Sequence, residues 1–280
     1  MKIGIIGAGR VGFSMGKYLS GQKSDICVIG YYDTVTENAA EAARFTGTQC
    51  FEDVQSLVEL SDTLFLTTPD SIIAEAWDCI KEMSLKNKII CHFSGSLSSN
   101  VFSGMEKTGA RGCSIHPMLA FSDKYSSYQQ LKNAFFTIEG DREAVCAMTG
   151  LFQSIGNTLC PIDGEKKALY HAAASILSNQ VVAVLDTGYR LLTECGFSRE
   201  DAVKASEHLV RGNVENVLKQ DTVQALTGPI DRNDIDTVKK HLSVLEGSDR
   251  EMYCILGKKI VEIAGIKNPD RDYTELSKLL

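Results

Sequence analysis

Short runs of apolar and β-branched residues recur through the first half of the chain, separated by stretches in which apolar positions return every three or four residues. The runs KIGIIG (2–7), ICVIGYY (26–32), TLFLTTP (63–69), KIICHF (88–93) and RGCSIHP (111–117) predict strands. RVGFSMGKYLSG (10–21), TENAAEAARFTG (36–47) and SIIAEAWDCIKEM (71–83) predict helices between them. AFFTIEG (134–140) and NTLCPID (157–163) add two strands that flank a helix over 142–156. Nearly continuous apolar strands joined by helices imply an α/β domain with a mostly parallel, doubly wound sheet covered on both faces.

After Asp163 the pattern becomes helical throughout, which places a boundary between domains 1–163 and 164–280. One long helix is predicted over 165–195, ending near Gly196. Ser198 then has the position of an N-cap for the next helix, with Asp201 at its acidic third site. Two further helices are predicted around 234–246 and 249–264, the latter stopped by Gly265.

Within the first of these helices, Lys167, His171, Ser175 and Asn179 stand four residues apart in an otherwise apolar stretch. Side chains at that spacing stack along one helix face. The stripe is either the solvated face of an amphipathic helix or the wall of a cleft. Few charges elsewhere on the helix and the small residues Ala172 to Ala174 argue for close packing and for a cleft. A Lys or His at such a cleft can stabilise and protonate the oxygen of a carbonyl that is being reduced.

Composition narrows the partners. With 44% hydrophobic and 23% charged residues the chain is of ordinary globular type, and no consecutive apolar run approaches bilayer length, so no membrane span is expected. A net charge of −7 opposes nucleic-acid binding and favours a small-molecule substrate. The start MKIGIIGAGRVG does not read as a secretory leader, and a cytoplasmic location is expected. Nine cysteines without a Cys-x-x-Cys pair read as reduced core residues, and no metal site is read.

The first predicted strand runs into Gly7-Ala8-Gly9-Arg10-Val11-Gly12, which opens a helix. This G-x-G-x-x-G spacing makes a tight turn, lets backbone N–H groups approach a diphosphate and packs helix on strand closely. Asp33, about twenty residues on at the end of the second strand, has the position that accepts a ribose hydroxyl. It favours NAD over NADP mildly, because Thr34 and Thr36 could help to hold a phosphate.

Other strand ends are polar, and ligands sit beyond such ends in open parallel sheets. Thr68 and Pro69 would border the inner half of the dinucleotide, with Asp70 capping the following helix. Ser94, Gly95 and Ser96 can hold the nicotinamide amide or a substrate carboxylate; equally, Ser96 or Ser98 can cap a helix. His116 is either a general acid or a structural hydrogen-bonding group.

With these residues in view, the chain resembles the superfamily of β-hydroxyacid dehydrogenases and 6-phosphogluconate dehydrogenase-like proteins. Within it, SGSLSS (94–99), HPMLAF (116–121), YHAAASILSNQ (170–180) and LTGPIDRND (226–234) resemble the branch of NADP oxidoreductases with a DUF2520 C-terminal domain. The resemblance implies a Rossmann domain, an all-α C-terminal domain of the 6-phosphogluconate dehydrogenase type, NADP or NAD as cofactor, and a homodimer formed through the helical half. Lys167 matches the family's catalytic lysine, but His171 stands where the family has an asparagine. The proton donor is therefore expected to be His171, whose side-chain type has an ordinary pKa near 6.5, or else Lys167. Asn179 and Ser175 extend the same ridge. Arg232 can grip a carboxylate, in this chain's cleft or its partner's, or else pair with Asp234 or Asp236 on the surface.

The expected activity is hydride transfer between a nicotinamide cofactor and a small carboxylate-bearing 2-oxo or 3-hydroxy acid, such as a ketopantoate-like compound. The alternatives are an imino-acid reductase of the pyrroline-5-carboxylate reductase type and a nucleotide-binding sensor or scaffold without turnover.

Overall fold

In a computed structural model of the chain, which describes residues 1–22 and 26–280, eight strands form one sheet in the order β3-β2-β1-β4-β5-β6-β7-β8. The strands are β1 (Lys2–Ile6), β2 (Cys27–Tyr32), β3 (Gln49–Cys50), β4 (Thr63–Leu66), β5 (Ile89–His92), β6 (Arg111–Pro117), β7 (Phe135–Gly140) and β8 (Thr158–Pro161). The first six run parallel; β7 turns antiparallel to β6, and β8 runs parallel to β7. This is the doubly wound arrangement predicted from the apolar runs. Its order reverses between β1 and β4, the point at which such sheets open a crevice for ligands.

The helices of the first half are α1 (Arg10–Ser20), α2 (Thr36–Thr46), α3 (Val54–Leu60), α4 (Asp70–Ile80), α5 (Met105–Thr108) and α6 (Arg142–Ser154). The period of two along the strands divides their side chains between two cores. Ile3, Ile5, Phe65, Ile115 and Phe136 pack on one face with Phe13 and Phe152. Leu64, Leu66 and Ile90 pack on the other with Leu57, Trp77 and Phe102. The short pieces β3 and α3 escape the periodic pattern because neither is long enough to show one. Asp53 caps α3 by accepting the N–H of Ser56 at 2.7 Å.

The predicted helix over 165–195 is two helices, α7 (Lys167–Leu177) and α8 (Asn179–Glu194). They are broken at Ser178, whose backbone leaves the helical region at φ −124°, ψ −76°. The chain divides into compact units Met1–Gln180 and Val181–Leu280, so that α7 belongs with the sheet, although the strands end at Pro161. By length and composition, residues 164–194 would suffice to cross a membrane, where the run-length criterion expected no such segment. The apolar side chains of α7 are not covered by the chain: Leu169 is 70% exposed and Leu177 73%. Low charge therefore does not mean burial here, contrary to the expectation for this helix.

The second unit continues through α9 (Arg199–Ala225), α10 (Ile235–Val244), α11 (Gly247–Lys267) and α12 (Thr274–Leu279). Ser198 caps α9 as predicted, accepting the N–H of Asp201 at 3.0 Å. Gly265 does not stop α11, which runs on to Lys267; one glycine costs about 1 kcal/mol, too little to end a packed helix. Ile230, Val238, Leu242, Ala264, Tyr273 and Leu276 form this unit's core. The cysteines are free, but only Cys91 and Cys113 are buried, so most are not the core residues that the sequence suggested.

Gly16 tests how closely α1 lies on the sheet, because a Cβ there would stand 1.6 Å from the buried Tyr31 hydroxyl. We expect Gly16→Ala to lower unfolding free energy by about 1–3 kcal/mol in urea titrations, through overpacking. Unchanged stability would contradict the contact.

Candidate active site

The glycine loop sits at the crevice between β1 and β4. Gly7 has φ +99°, a left-handed backbone that suits glycine, and a Cβ at Gly12 would strike the Gly7 carbonyl oxygen at 2.2 Å. Around Gly9, by contrast, a Cβ would meet nothing within 4 Å. No side chain caps the N-terminus of α1 and no acid stands in its first turn, so its free N–H groups face open space. This cradle fits the diphosphate of a dinucleotide. Arg10 and Val11 form the first helical turn beside it.

Asp33 closes the far side of the loop. Its Oδ2 accepts the N–H of Ala8 at 2.7 Å and its Oδ1 the N–H of Val35 at 2.9 Å. A cleft of about 590 Å³ opens here, bordered by Gly7, Gly9, Asp33, Thr34, Thr68 and Pro69 among others. A second, of about 300 Å³, shares Gly9 and Thr67 to Pro69 with it and continues past Arg10 and Val11 to Phe93 and Ser94. Thr68 Oγ1 is buried at this junction without a hydrogen-bond partner.

At the end of β5 the chain turns through Ser94-Gly95-Ser96, and the turn is tied down from three directions. Ser94 Oγ donates to Asp70 Oδ2 at 2.7 Å and accepts the N–H groups of Ser96 and Leu97 at 3.1 and 2.9 Å. Ser96 Oγ donates to the same Asp70 oxygen at 2.8 Å. From α7, Lys167 Nζ donates to the Ser94 carbonyl at 2.7 Å and to Ser114 Oγ, on β6, at 2.6 Å. Lys167 is only 2% exposed, and burial lowers its pKa to about 8. Glu139, on β7, opposes that shift and accepts the N–H and hydroxyl of Ser99.

Several sequence expectations change accordingly. Asp70 does not cap α4; it lies in the first turn and its carboxylate holds the two serine hydroxyls. Neither Ser96 nor Ser98 caps a helix, since the short turn Ser99–Val101 has no side-chain cap. The hydroxyls of Ser94 and Ser96 donate to Asp70, and Gly95 between them is buried, so of this turn it is Ser94 that borders a cleft. Lys167 does not stand on an open cleft wall as the stripe suggested, because its ammonium is buried beneath the turn.

The remainder of the stripe does reach a cleft. His171, Ser175 and Asn179 border a space of about 520 Å³ with His116, Ser122, Leu177 and Ser178. Its other wall, Met118 to Ser122, leads into a segment fastened to α2 by Lys124 and Tyr125, both bonded to Glu41. His116 Nδ1 and the Tyr170 hydroxyl lie 2.7 Å apart. Tyr170 carries no signal in the sequence beyond its place beside His171, and its contact depends on α7 docking against β6.

Arg232 belongs to the second unit. It makes no salt bridge with Asp234 or Asp236: Asp234 caps α10 through the N–H and hydroxyl of Thr237, whose hydrogen bonds hold its carboxyl below the usual range, and the Arg232 charge adds to that shift. Asp231 ties the loop to Lys267 and Asn268. Arg232 itself is exposed.

Comparisons with known proteins bear on the family and the fold. Residues 2–93 match the family described as NADP oxidoreductase coenzyme F420-dependent, and residues 134–260 match DUF2520, a domain of unknown function. The chain is a Rossmann-type NADP-oxidoreductase domain joined to a DUF2520 domain. The N-terminal match is to a family of NADP oxidoreductases, which implies a nicotinamide cofactor, and the cradle at Gly9 fits the diphosphate of one.

TM1727 from Thermotoga maritima has a similar structure, with TM-score 0.71 and 23% identity over 95% of this chain and 99% of that one. BF3122 from Bacteroides fragilis, a candidate NADP oxidoreductase, gives 0.71 and 23% over 93% and 98%. The 1-pyrroline-5-carboxylate reductase of Streptococcus pyogenes gives 0.61 and 14% over 100% and 99%. At such identities the likeness is one of fold. A glucose-6-phosphate 3-dehydrogenase of Bacillus subtilis is 28% identical over 127 residues, 45% of this chain; the match spans about a third of that relative's length, 35%.

Burial, then the Lys167 charge, lowers the pKa of His92 and of His116 to about 4 in each case; His171 adds to the effect on His116, and Asp70 opposes both. Unfolded imidazoles take up protons near pH 6.5. Between that pH and 4 the unfolded chain binds more protons than the folded one, so stability falls as pH falls through this window. For the fully buried His92 the loss reaches on the order of 3 kcal/mol by pH 4. We expect melting temperature to decline from pH 6.5 to 5, above the carboxylate range, with a shallower slope in His92→Gln. An identical slope in that variant would contradict the assignment.

Proposed function

We propose that the chain reduces the C=O or C=N bond of a small carboxylate-bearing compound, with NADH as the preferred reductant. The observation that carries this reading is continuity: the cradle at Gly9 and the cleft reaching Ser94 share residues, and at Gly95, next in the chain, a Cβ would strike the imidazoles of His116 and His171, which border the 520 Å³ cleft. A reduced dinucleotide bound along this line would supply the hydride. The protein's own part is to hold the substrate in the 520 Å³ cleft and to give a proton to the oxygen or nitrogen formed, a role assigned to His171. Apolar Met118, Leu119, Phe121 and Leu177 would exclude water, while Ser122, Ser175 and Asn179 offer hydrogen bonds to the substrate's polar arm.

A 2-oxo acid of ketopantoate type is the first candidate. A cyclic imino acid is the second, favoured by likeness in fold to an imine reductase from a Pseudomonas species and to pyrroline-carboxylate reductases. The preference for NADH rests on Asp33 and Glu75, the charged residues bordering the 590 Å³ cleft, where no Lys or Arg stands to neutralise a 2′-phosphate.

Calorimetric titration should show NADH binding at least about tenfold more tightly than NADPH, roughly 1.4 kcal/mol, with the gap narrowed in Asp33→Ala. Equal affinities in the unaltered chain would overturn the preference. A panel of 2-oxo acids and cyclic imino acids should contain a substrate whose kcat falls about a hundredfold in His171→Ala while NADH affinity holds. Bound NADH with no member turned over would favour a sensor or scaffold instead.

A further inference from the structure

Gly95 is buried between Ser94, which borders the dinucleotide side of the crevice, and the two histidines that border the 520 Å³ cleft, and it has no room for a side chain. A Cβ at position 95 would stand 2.6 Å from His171 Nδ1 and 2.9 Å from His116 Nε2. Two ring nitrogens from separate elements, β6 and α7, therefore lie against Gly95, and both histidines border the 520 Å³ cleft. The rings stand nearly perpendicular, at 84° with centroids 6.2 Å apart. On its far side, His116 Nδ1 meets the Tyr170 hydroxyl at 2.7 Å, with the two rings edge to face.

We infer that His116 and His171 act as a pair on the reacting heteroatom, with Tyr170 as the positioning residue that sets the His116 tautomer. The inference rests on the reductase reading and assigns roles within it. A phenol is a stronger hydrogen-bond acid than a neutral imidazole, so the Tyr170 O–H donates to Nδ1 and the ring hydrogen of His116 resides on Nε2, the nitrogen on the Gly95 side of the ring. His116 then donates a hydrogen bond to the substrate oxygen or nitrogen. His171, which is exposed and can be reprotonated by solvent, gives the proton. In the step, hydride from the dinucleotide forms the new C–H bond and the dinucleotide is oxidised. The π pair of the C=O or C=N bond moves to the heteroatom, and the new O–H or N–H bond takes the proton leaving His171 Nδ1.

Other features agree with these roles. Burial and the neighbouring Lys167 charge hold His116 neutral at pH 7, as a hydrogen-bond donor rather than an acid. Burial also raises the Tyr170 pKa, which keeps the phenol protonated and able to donate. Gly95 does not have a left-handed backbone, so glycine is required there by the space between the imidazoles and not by its φ.

The pairing is tested first without turnover, by nitrogen-15 NMR of the histidine side chains in the full chain at pH 7. We expect neutral His116 with hydrogen on Nε2, a shift of its Nδ1 signal in Tyr170→Phe, and perturbation of both imidazoles in Gly95→Ala. Hydrogen on Nδ1, a charged His116 ring, or His171 unmoved by Gly95→Ala would overturn it. With a substrate from the panel, Gly95→Ala and His116→Ala should lose at least a hundredfold in kcat while NADH affinity stays within twofold. His116→Gln, which can still donate from an amide, should recover part of the loss. Tyr170→Phe should lower kcat about tenfold with little change in KM. Full activity in Gly95→Ala would overturn the pairing. If the unaltered chain reduces nothing, the reductase reading fails on its own, and the NMR result still decides the geometry.

Discussion

The candidate site of this protein is organised around one buried charge. Lys167 brings its ammonium from the first turn of α7 to the carbonyl of Ser94 and the hydroxyl of Ser114, joining a helix to the ends of two adjacent strands. A buried ammonium is costly unless its hydrogens are satisfied, so the chain at Ser94 must present its carbonyl and β6 must present its hydroxyl. The direction of α7 follows from this anchor, and with it the placement of Tyr170 and His171, one turn further on. The same charge discourages protonation of His92 and His116. One contact therefore shapes the turn, orients the helix and adds to burial in keeping His92 and His116 neutral.

The dinucleotide side obeys a separate constraint. Crowding at Gly7 and Gly12 and emptiness at Gly9 leave the N-terminus of α1 bare, and Asp33 holds the loop from behind through Ala8. Because the sheet reverses order between β1 and β4, the crevice leads from that bare terminus toward β5. Asp70 completes the connection. It starts α4, which follows β4, yet its carboxylate grips the serine hydroxyls after β5, so the two neighbouring strand ends are tied to one another.

The sequence made legible whatever depends on local periodicity. Apolar runs and glycine spacing disclose the parallel sheet, the first helix and the acidic residue at the end of β2. The polar stripe is legible too, in that three of its four members reach a common cleft. The depth of Lys167 was not legible, because spacing places residues on a face without saying what covers that face. The role of Asp70 was hidden for a related reason: a carboxylate at a helix start looks like a cap until a serine pair from another strand competes for it. Tyr170 became visible only with its partner on β6, more than fifty positions away. The exposed apolar face of α7 belongs to the same class, for hydrophobicity identifies a surface that gains from being covered and leaves open what covers it.

The central claim concerns Lys167, and its own titration tests it most directly. Selective carbon-13 labelling of the lysine ε positions, with Lys167 assigned by its absence from a Lys167→Met variant, would follow the amine by NMR as pH rises. A buried ammonium clamped to Ser94 and Ser114 should lose its proton near pH 8. Titration of Lys167 together with the surface lysines, near pH 10.5, would contradict the burial cost on which the account rests.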